Sequence, residues 1–303
     1  MQASGLAAPA LFDFNDNDAV ATPPGNPAPS PTQAGWTGIT QTGLSGVSTS
    51  FGTLDVSFVP IIGAATPVLD DRDRGQLNGG AHPLSNMLRD IFTITGNPNT
   101  TGNGTVDIVV SGMNAGNYLF GGYFHDNTVD HVSMDIEVSL DSGFSYNLAV
   151  DNAFVSTGTN PIKFGSGSFQ FAANGIDSNI FRIVGQGGTV GFATSENAIL
   201  SGFVIEPITE LGDFNGFGGV TTDDFFVLSN NLGNRSGVTW IGHAGGDINL
   251  DGVVDMDDFG QFKALFPQVV NAALGIPEPS TIGLAVLACV SALLVTYRNG
   301  GLR

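Results

Sequence analysis

VDIVVSGMNAGNYLFGGYF, residues Val106 to Phe124, sets the character of most of the chain. Val106–Ser111 and Tyr118–Phe124 are short runs of β-branched, aliphatic and aromatic residues, and Gly112, Asn114, Gly116 and Asn117 punctuate the span between them. Strand side chains alternate between two faces, and Gly and Asn supply turns, so the stretch reads as two consecutive strands. The pattern recurs on both sides. Candidate strands are Thr53–Ile61, Asp90–Thr95, His131–Leu140, Ile162–Ala172, Ile180–Val184 and Ala198–Glu206, with Leu11–Phe14 as the first strand-like run. No long segment here has a 3.6-residue period. Residues 11–208 are therefore expected to form a mainly β domain, an antiparallel sandwich. Its length is ample for one core. Asn15–Thr42, rich in Pro, Gly and Thr, is expected to drape over the sandwich as an irregular approach.

Charge narrows the partners. The chain carries a formal charge of −19 with nine Lys and Arg, none of them before Arg72. Nucleic-acid binding needs clustered basic residues and is excluded; a divalent cation is the partner such a balance favours. Cys289 is the single cysteine, so no intrachain disulfide and no Zn-thiolate site can form.

The informative segment follows the β region. GDFNGFGGVTTDDF begins at Gly212 and GDINLDGVVDMDDF at Gly246, a repeat with a period of 34 residues. In the second copy Asp247, Asn249, Asp251, the Val253 carbonyl, Asp255 and Asp258 occupy positions 1, 3, 5, 7, 9 and 12 of an EF-hand-type loop, with Gly252 at the sharp turn. Such spacing converges six hard oxygen donors on one point and points to Ca2+. In the first copy Asp213, Asn215, the Gly219 carbonyl, Thr221 and Asp224 fall at positions 1, 3, 7, 9 and 12. Phe217 takes position 5, so this loop is expected to bind weakly if at all. Each loop precedes a short helical segment, Asp223–Gly233 and Asp257–Phe266, the second expected to stop at Pro267. Packed antiparallel, these would bury Phe225, Leu228 and Leu232 against Phe259, Phe262 and Phe266. Val220 and Val254, both at position 8, would form a β-bridge.

A duplicated calcium loop with only its exiting helix resembles a type I dockerin. The likeness spans residues 210–267 and implies docking onto a cohesin-like domain, with loop positions 10 and 11 setting specificity. Those are Thr222-Asp223 and Met256-Asp257 here, unlike the paired hydroxyls of the cellulosomal type, so an intramolecular calcium brace is the alternative.

The chain ends in IPEPSTIGLAVLACVSALLVTYRNGGLR. Thr281–Tyr297 is uncharged, long enough as a helix to reach roughly 25 Å, and is followed by Arg298 and Arg303. Positive residues stay cytoplasmic, which places everything upstream outside. Pro277-Glu278-Pro279, a rigid extended tripeptide, then the apolar span, then the basic end, resembles the PEP-CTERM sorting signal. The resemblance implies an exosortase as processing partner, a transmembrane helix before processing, and export to the cell envelope. Export also needs a leader. Ala8-Pro9-Ala10 suits signal peptidase, so residues 1–10 are expected to be a signal-peptide remnant with the rest upstream.

The β region resembles galactose-binding-like jelly rolls on Leu11–Phe14, Asp71–Gly75 before Leu88-Arg89-Asp90, Ala115–Tyr118, His125-Asp126 and Ala198–Phe203. That likeness implies a carbohydrate held at one edge by aromatic and polar side chains, with Trp36, Arg72, Arg74, Tyr123, His125, Asp126 and Asn127 as candidates. Ion pairs of Arg72 and Arg74 with Asp71 and Asp73 are the structural alternative. No Gly-x-Ser-x-Gly elbow, His-Glu-x-x-His or P-loop occurs, the histidines are scattered, and no carboxylate pair stands out, so the chain is not expected to be an enzyme. The expected organisation is the signal remnant, a sandwich over 11–208, a dockerin-like module over 209–270, a linker over 271–280 and a membrane helix with basic tail over 281–303. The expected role is display for carbohydrate or matrix adhesion. A purely structural surface protein and a non-catalytic subunit of a polysaccharide-degrading complex are the alternatives.

Overall fold

The computed structural model describes residues 7–15, 30–61, 68–73, 84, 86–95, 104–126, 133–157, 165–186, 198–237 and 239–276. The sorting motif Pro277-Glu278-Pro279 and the apolar segment 281–303 lie outside them. Among the described residues no helix is long and apolar enough to cross a membrane.

Strands among the described residues are, in chain order, β1 (Ala10–Phe14), β2 (Thr37–Ile39), β3 (Leu44–Thr49), β4 (Gly52–Ile61), β5 (Val68–Asp73), β6 (Asp90–Thr95), β7 (Thr105–Met113), β8 (Gly116–Asp126), β9 (Ser133–Ser139), β10 (Asn147–Ala153), β11 (Ser156–Thr157), β12 (Gly165–Ala173), β13 (Asn179–Gln186), β14 (Ile199–Leu200) and β15 (Gly202–Ile208). One sheet runs β11-β8-β15-β1-β2 with β12 also on β8, the second runs β10-β9-β13-β7-β4-β3, and a small third joins β14, β6 and β5. Pairing is antiparallel except for β1 with β2 and β11 with β8. The protein is a mainly β sandwich, as the alternation implied. Within Asn15–Thr42, residues 37–39 form a paired strand, β2, where only irregular chain was expected.

The two large sheets meet through aromatic rings. Phe120 of β8 stacks on Phe181 of β13 with centroids 4.3 Å apart, and Phe14 of β1 meets Phe58 of β4 at 5.2 Å. Each fully buried Phe removes enough apolar surface from water to contribute about 2–3 kcal/mol. Gly112 is not a turn residue, as its sequence context suggested. It lies inside β7 with φ +81°, opposite a bulge at Gly52 where neither glycine has room for a Cβ against the other strand's backbone.

The first sheet is buried on both faces, which explains why Tyr118–Phe124 reads as continuously apolar rather than alternating. Tyr118, Phe120 and Phe124 face the core between the sheets; Leu119 and Tyr123 face outward into a second cluster with Trp36, Met87, Val204 and Leu250. Leu250 belongs to the second calcium-type loop. The C-terminal repeats are therefore laid against the outer face of the sandwich, where the sequence suggested a separate dockerin-like module.

Three helices complete the module: α1 (Thr222–Asn231), α2 (Met256–Leu265) and α3 (Pro267–Ala273). Phe225, Leu228 and Phe262 are buried as expected, together with Phe214, Ile248 and Val254; Leu232 is exposed and Phe259 and Phe266 are only partly covered. Pro267 does not end the helical region. It occupies the first turn of α3, where a missing N–H costs nothing, and Val270 then fills the module core. The expected bridge between Val220 and Val254 is replaced by one between Arg235 and Val253, flanked by Gly233 N–H donating to the Val254 carbonyl at 2.8 Å. The chain leaving α1 supplies the partner that position 8 of the first loop was expected to provide.

Candidate metal centre

Both loops use one backbone scaffold. In the second, Asp247 accepts from the amides of Asp251 (3.1 Å) and Gly252 (2.9 Å), and the Asn249 side-chain oxygen accepts from Asp251 (2.9 Å). Asp258 accepts from Ile248 (2.9 Å) and, through its other oxygen, from Asp255 (2.7 Å). In the first loop Asp213 and Asn215 accept from the Phe217 amide, and Asp224 accepts from Asn215 and Thr221. Positions 9 and 12 thus form reciprocal capping boxes that start α1 and α2, Thr221 with Asp224 and Asp255 with Asp258. Part of the Asp-x-x-Asp spacing is accounted for by helix capping, a role the repeat did not reveal.

The loops differ at position 5. Asp251 is 7% exposed and turned into its loop, whereas Phe217 is 58% exposed and turned out. Gly252 at φ +84° makes the turn that no side chain would make cheaply. Burial pushes the Asp247 carboxyl well above its ordinary value, and Asp251, Asp258 and Glu206 add to the rise. Burial likewise pushes Asp258 up to about 6. Buried carboxylates that repel one another are costly without a cation, and carboxylate and carbonyl oxygens are the donor type that a hard divalent ion takes. Among the described residues no group of three or more His, Cys, Asp or Glu side chains is gathered so as to hold a metal ion.

The second loop and the turn before it are joined to the sandwich by groups that the sequence did not single out for this role. Tyr123 donates its hydroxyl to the Leu250 carbonyl at 2.8 Å. Glu206, buried on β15, accepts from the amides of His243 (3.1 Å) and Ala244 (3.3 Å) and from the Trp240 indole (3.4 Å), capping a 3-10 turn at His243–Gly245. The His243 ring accepts from the Gly212 amide at 2.9 Å, tying the start of the first repeat to the approach of the second. Burial holds this imidazole down at about 4. The only signal in the sequence was a lone Trp240 in a Gly-rich connector and an apolar Leu250 among ligands.

The carbohydrate candidates whose side chains are described, Trp36, Tyr123, His125 and Asp126, are buried rather than set along an open edge. Tyr123 is fully buried, and Trp36 is nearly so, its ring edge-on to Tyr123 and Trp240. His125 is buried with its Nδ1 2.8 Å from the Ser156 hydroxyl, and Asp126 is buried at the end of β8. Arg72 lies in β5 opposite Ile91 by backbone register. Arg74 and Asn127 lie outside the described residues. Ala10, at the end of the expected cleavage motif, is buried and opens β1 opposite Ile205.

Comparison with protein-family models and with curated proteins gives no match. Similar solved structures include a family 35 carbohydrate-binding module from Clostridium thermocellum, at 15% identity over 49% of this chain and 90% of that one, TM-score 0.29. They also include the CBM32-3 module of a Clostridium perfringens family 31 glycoside hydrolase, at 13% identity over 55% and 95%, TM-score 0.28. A third is the K1 cleaved adhesin domain of Lys-gingipain from Porphyromonas gingivalis W83, at 12% identity over 55% and 94%, TM-score 0.33. Likeness at this level carries no argument about ligand; the sandwich is defined by its own sheets.

Proposed function

We propose that the chain is an exported, envelope-displayed β-sandwich braced by calcium at its second loop, held for an exosortase by the Pro277-Glu278-Pro279 tail. The observation that supports this reading best is the placement of Asp247, Asn249, Asp251, Val253 and Asp258 on one turn set against the sandwich. The module serves as an intramolecular brace, because Tyr123 holds its second loop and Glu206 holds the turn that leads into it; cohesin docking through the exposed faces of α1 and α2 is secondary. Its test is calcium titration of the full chain in detergent by calorimetry. One tight event, lost in Asp247→Ala, is expected; no heat of binding at all removes the reading.

Carbohydrate or matrix adhesion is the role proposed for the displayed sandwich. A structural surface protein without a small ligand is the second reading, and the burial of Trp36, Tyr123, His125 and Asp126 favours it. A glycan-array screen of the displayed chain separates the two: reproducible glycan capture supports adhesion, and a blank array supports the structural role.

A further inference from the structure

We infer that Leu250 couples calcium occupancy of the second loop to the outer face of the sandwich, so that the sandwich positions the calcium ligands and calcium in turn closes the joint. The inference rests on the calcium reading proposed above. Leu250 lies between Asn249 and Asp251, at positions 3 and 5 of the loop, and has φ +57°, a left-handed backbone that a leucine rarely adopts. Its side chain is fully buried among the sandwich residues Leu119, Tyr123 and Val204. Its carbonyl is the acceptor for the Tyr123 hydroxyl. The seat is made by a missing side chain: a Cβ at Gly121 would lie 2.9 Å from Val204 Cγ1 and 3.2 Å from Leu250 Cδ1.

These facts link two equilibria. A residue held at strained φ between two ligands cannot leave its seat without turning Asn249 and Asp251 away from the ion. Equally, a loop closed around an ion presents Leu250 in the conformation that the Gly121 seat accepts. Thermodynamic linkage makes the effect reciprocal: whatever factor docking adds to calcium affinity, calcium adds to docking. Loss of calcium is then expected to expose the face where Trp36, Tyr123 and Trp240 meet. Leu250 and Gly121 are positioning residues here, since neither offers a ligand.

The chain reports on this joint itself. Trp36 and Trp240 are its only two tryptophans, and their rings meet edge-on at 5.6 Å across the joint. In the full chain in detergent, chelation of calcium should shift tryptophan emission to longer wavelength, and calcium should restore it with the midpoint that calorimetry gives. Gly121→Ala should lower the calcium affinity by about ten-fold, within the usual range of coupling between sites, while saturation is still reached. Leu250→Ala should do the same and leave emission shifted even at saturating calcium. Circular dichroism at saturating calcium checks that each variant is folded, and Tyr123→Phe, the mildest change, stands in for any that is not. If wild type binds calcium but its emission does not respond, or if the folded variants bind calcium as wild type does, the coupling is wrong and the calcium site stands. If wild type takes up no calcium, the inference falls together with the reading beneath it.

Discussion

The hydroxyl of Tyr123 in β8 and the backbone carbonyl of Leu250 are joined by a buried 2.8 Å hydrogen bond across a sequence separation of 127 residues. Burial pushes the Tyr123 phenol well above its ordinary value, and Asp247, Glu206 and Asp251 raise it further, so the hydroxyl keeps its proton and donates. Tyr123→Phe leaves the Leu250 carbonyl without this donor in a buried setting, which costs about 1–3 kcal/mol. Urea unfolding of the full chain should show this loss as a lower midpoint with an unchanged slope; an unchanged midpoint would mean that the bond contributes nothing.

Calcium binding should be unequal between the loops. Asp247→Ala should abolish the tight event seen by calorimetry. Asp258→Ala should do so as well and also weaken α2 by about 1 kcal/mol, because it removes half of a capping box. Asp213→Ala should change the calcium heats little. Phe217→Asp should create a measurable second event, since position 5 of the first loop is exposed and the surrounding amides already hold the turn. Two equal tight sites in the parent chain would contradict the assignment.

Two buried groups should act in opposite senses over windows that overlap below about pH 6.5, leaving a net decline above it. Burial pushes Asp13 from 3.8 up to about 8, outweighing the Gln33 amide and the Arg89 charge. The folded chain therefore keeps a proton that the unfolded chain releases, and stability declines as pH rises from about 4 to about 8. Burial pushes His243 from 6.5 down to about 4, with Asp213 opposing. Here the unfolded chain gains a proton that the folded chain refuses, so stability declines as pH falls from about 6.5 to about 4. With calcium saturating, Asp13→Asn should flatten the decline of the urea midpoint between about pH 6.5 and 8 and unmask the His243-linked fall below about 6.5. A decline above about pH 6.5 unchanged by that substitution assigns it to another group.

Replacing Pro277, Glu278 and Pro279 with alanine should leave membrane insertion intact and stop processing. Proline disfavours helix at these positions and alanine favours it, so the substitution would remove the extended tripeptide that the sorting reading requires. Identical mature mass and location for variant and parent would make the tail a plain anchor.

The sequence by itself determined the elements whose information is local. Asp90–Thr95 is β6 residue for residue, and Thr53–Ile61 and Ile180–Val184 lie within β4 and β13, because alternation and turn residues are set by near neighbours. The register of Asp247, Asn249, Asp251 and Asp258 was legible for the same reason: a loop of fixed spacing closes on its own backbone amides. Only the tertiary structure decided what covers the outer face of the first sheet. Tyr123, Trp36 and His125 look like an exposed binding edge in one dimension, since polar-tipped aromatics serve an interface and a buried joint equally well. Leu250, Glu206 and Trp240 decide between these, and they come from segments far apart in the chain. Likewise Pro267 stops one helix and starts another according to whether Val270 finds a core to enter, and that core exists only once α1 and α2 have met. Local sterics write secondary structure and loop spacing into the chain; long-range burial, which selects the faces that meet, appears only in the folded form.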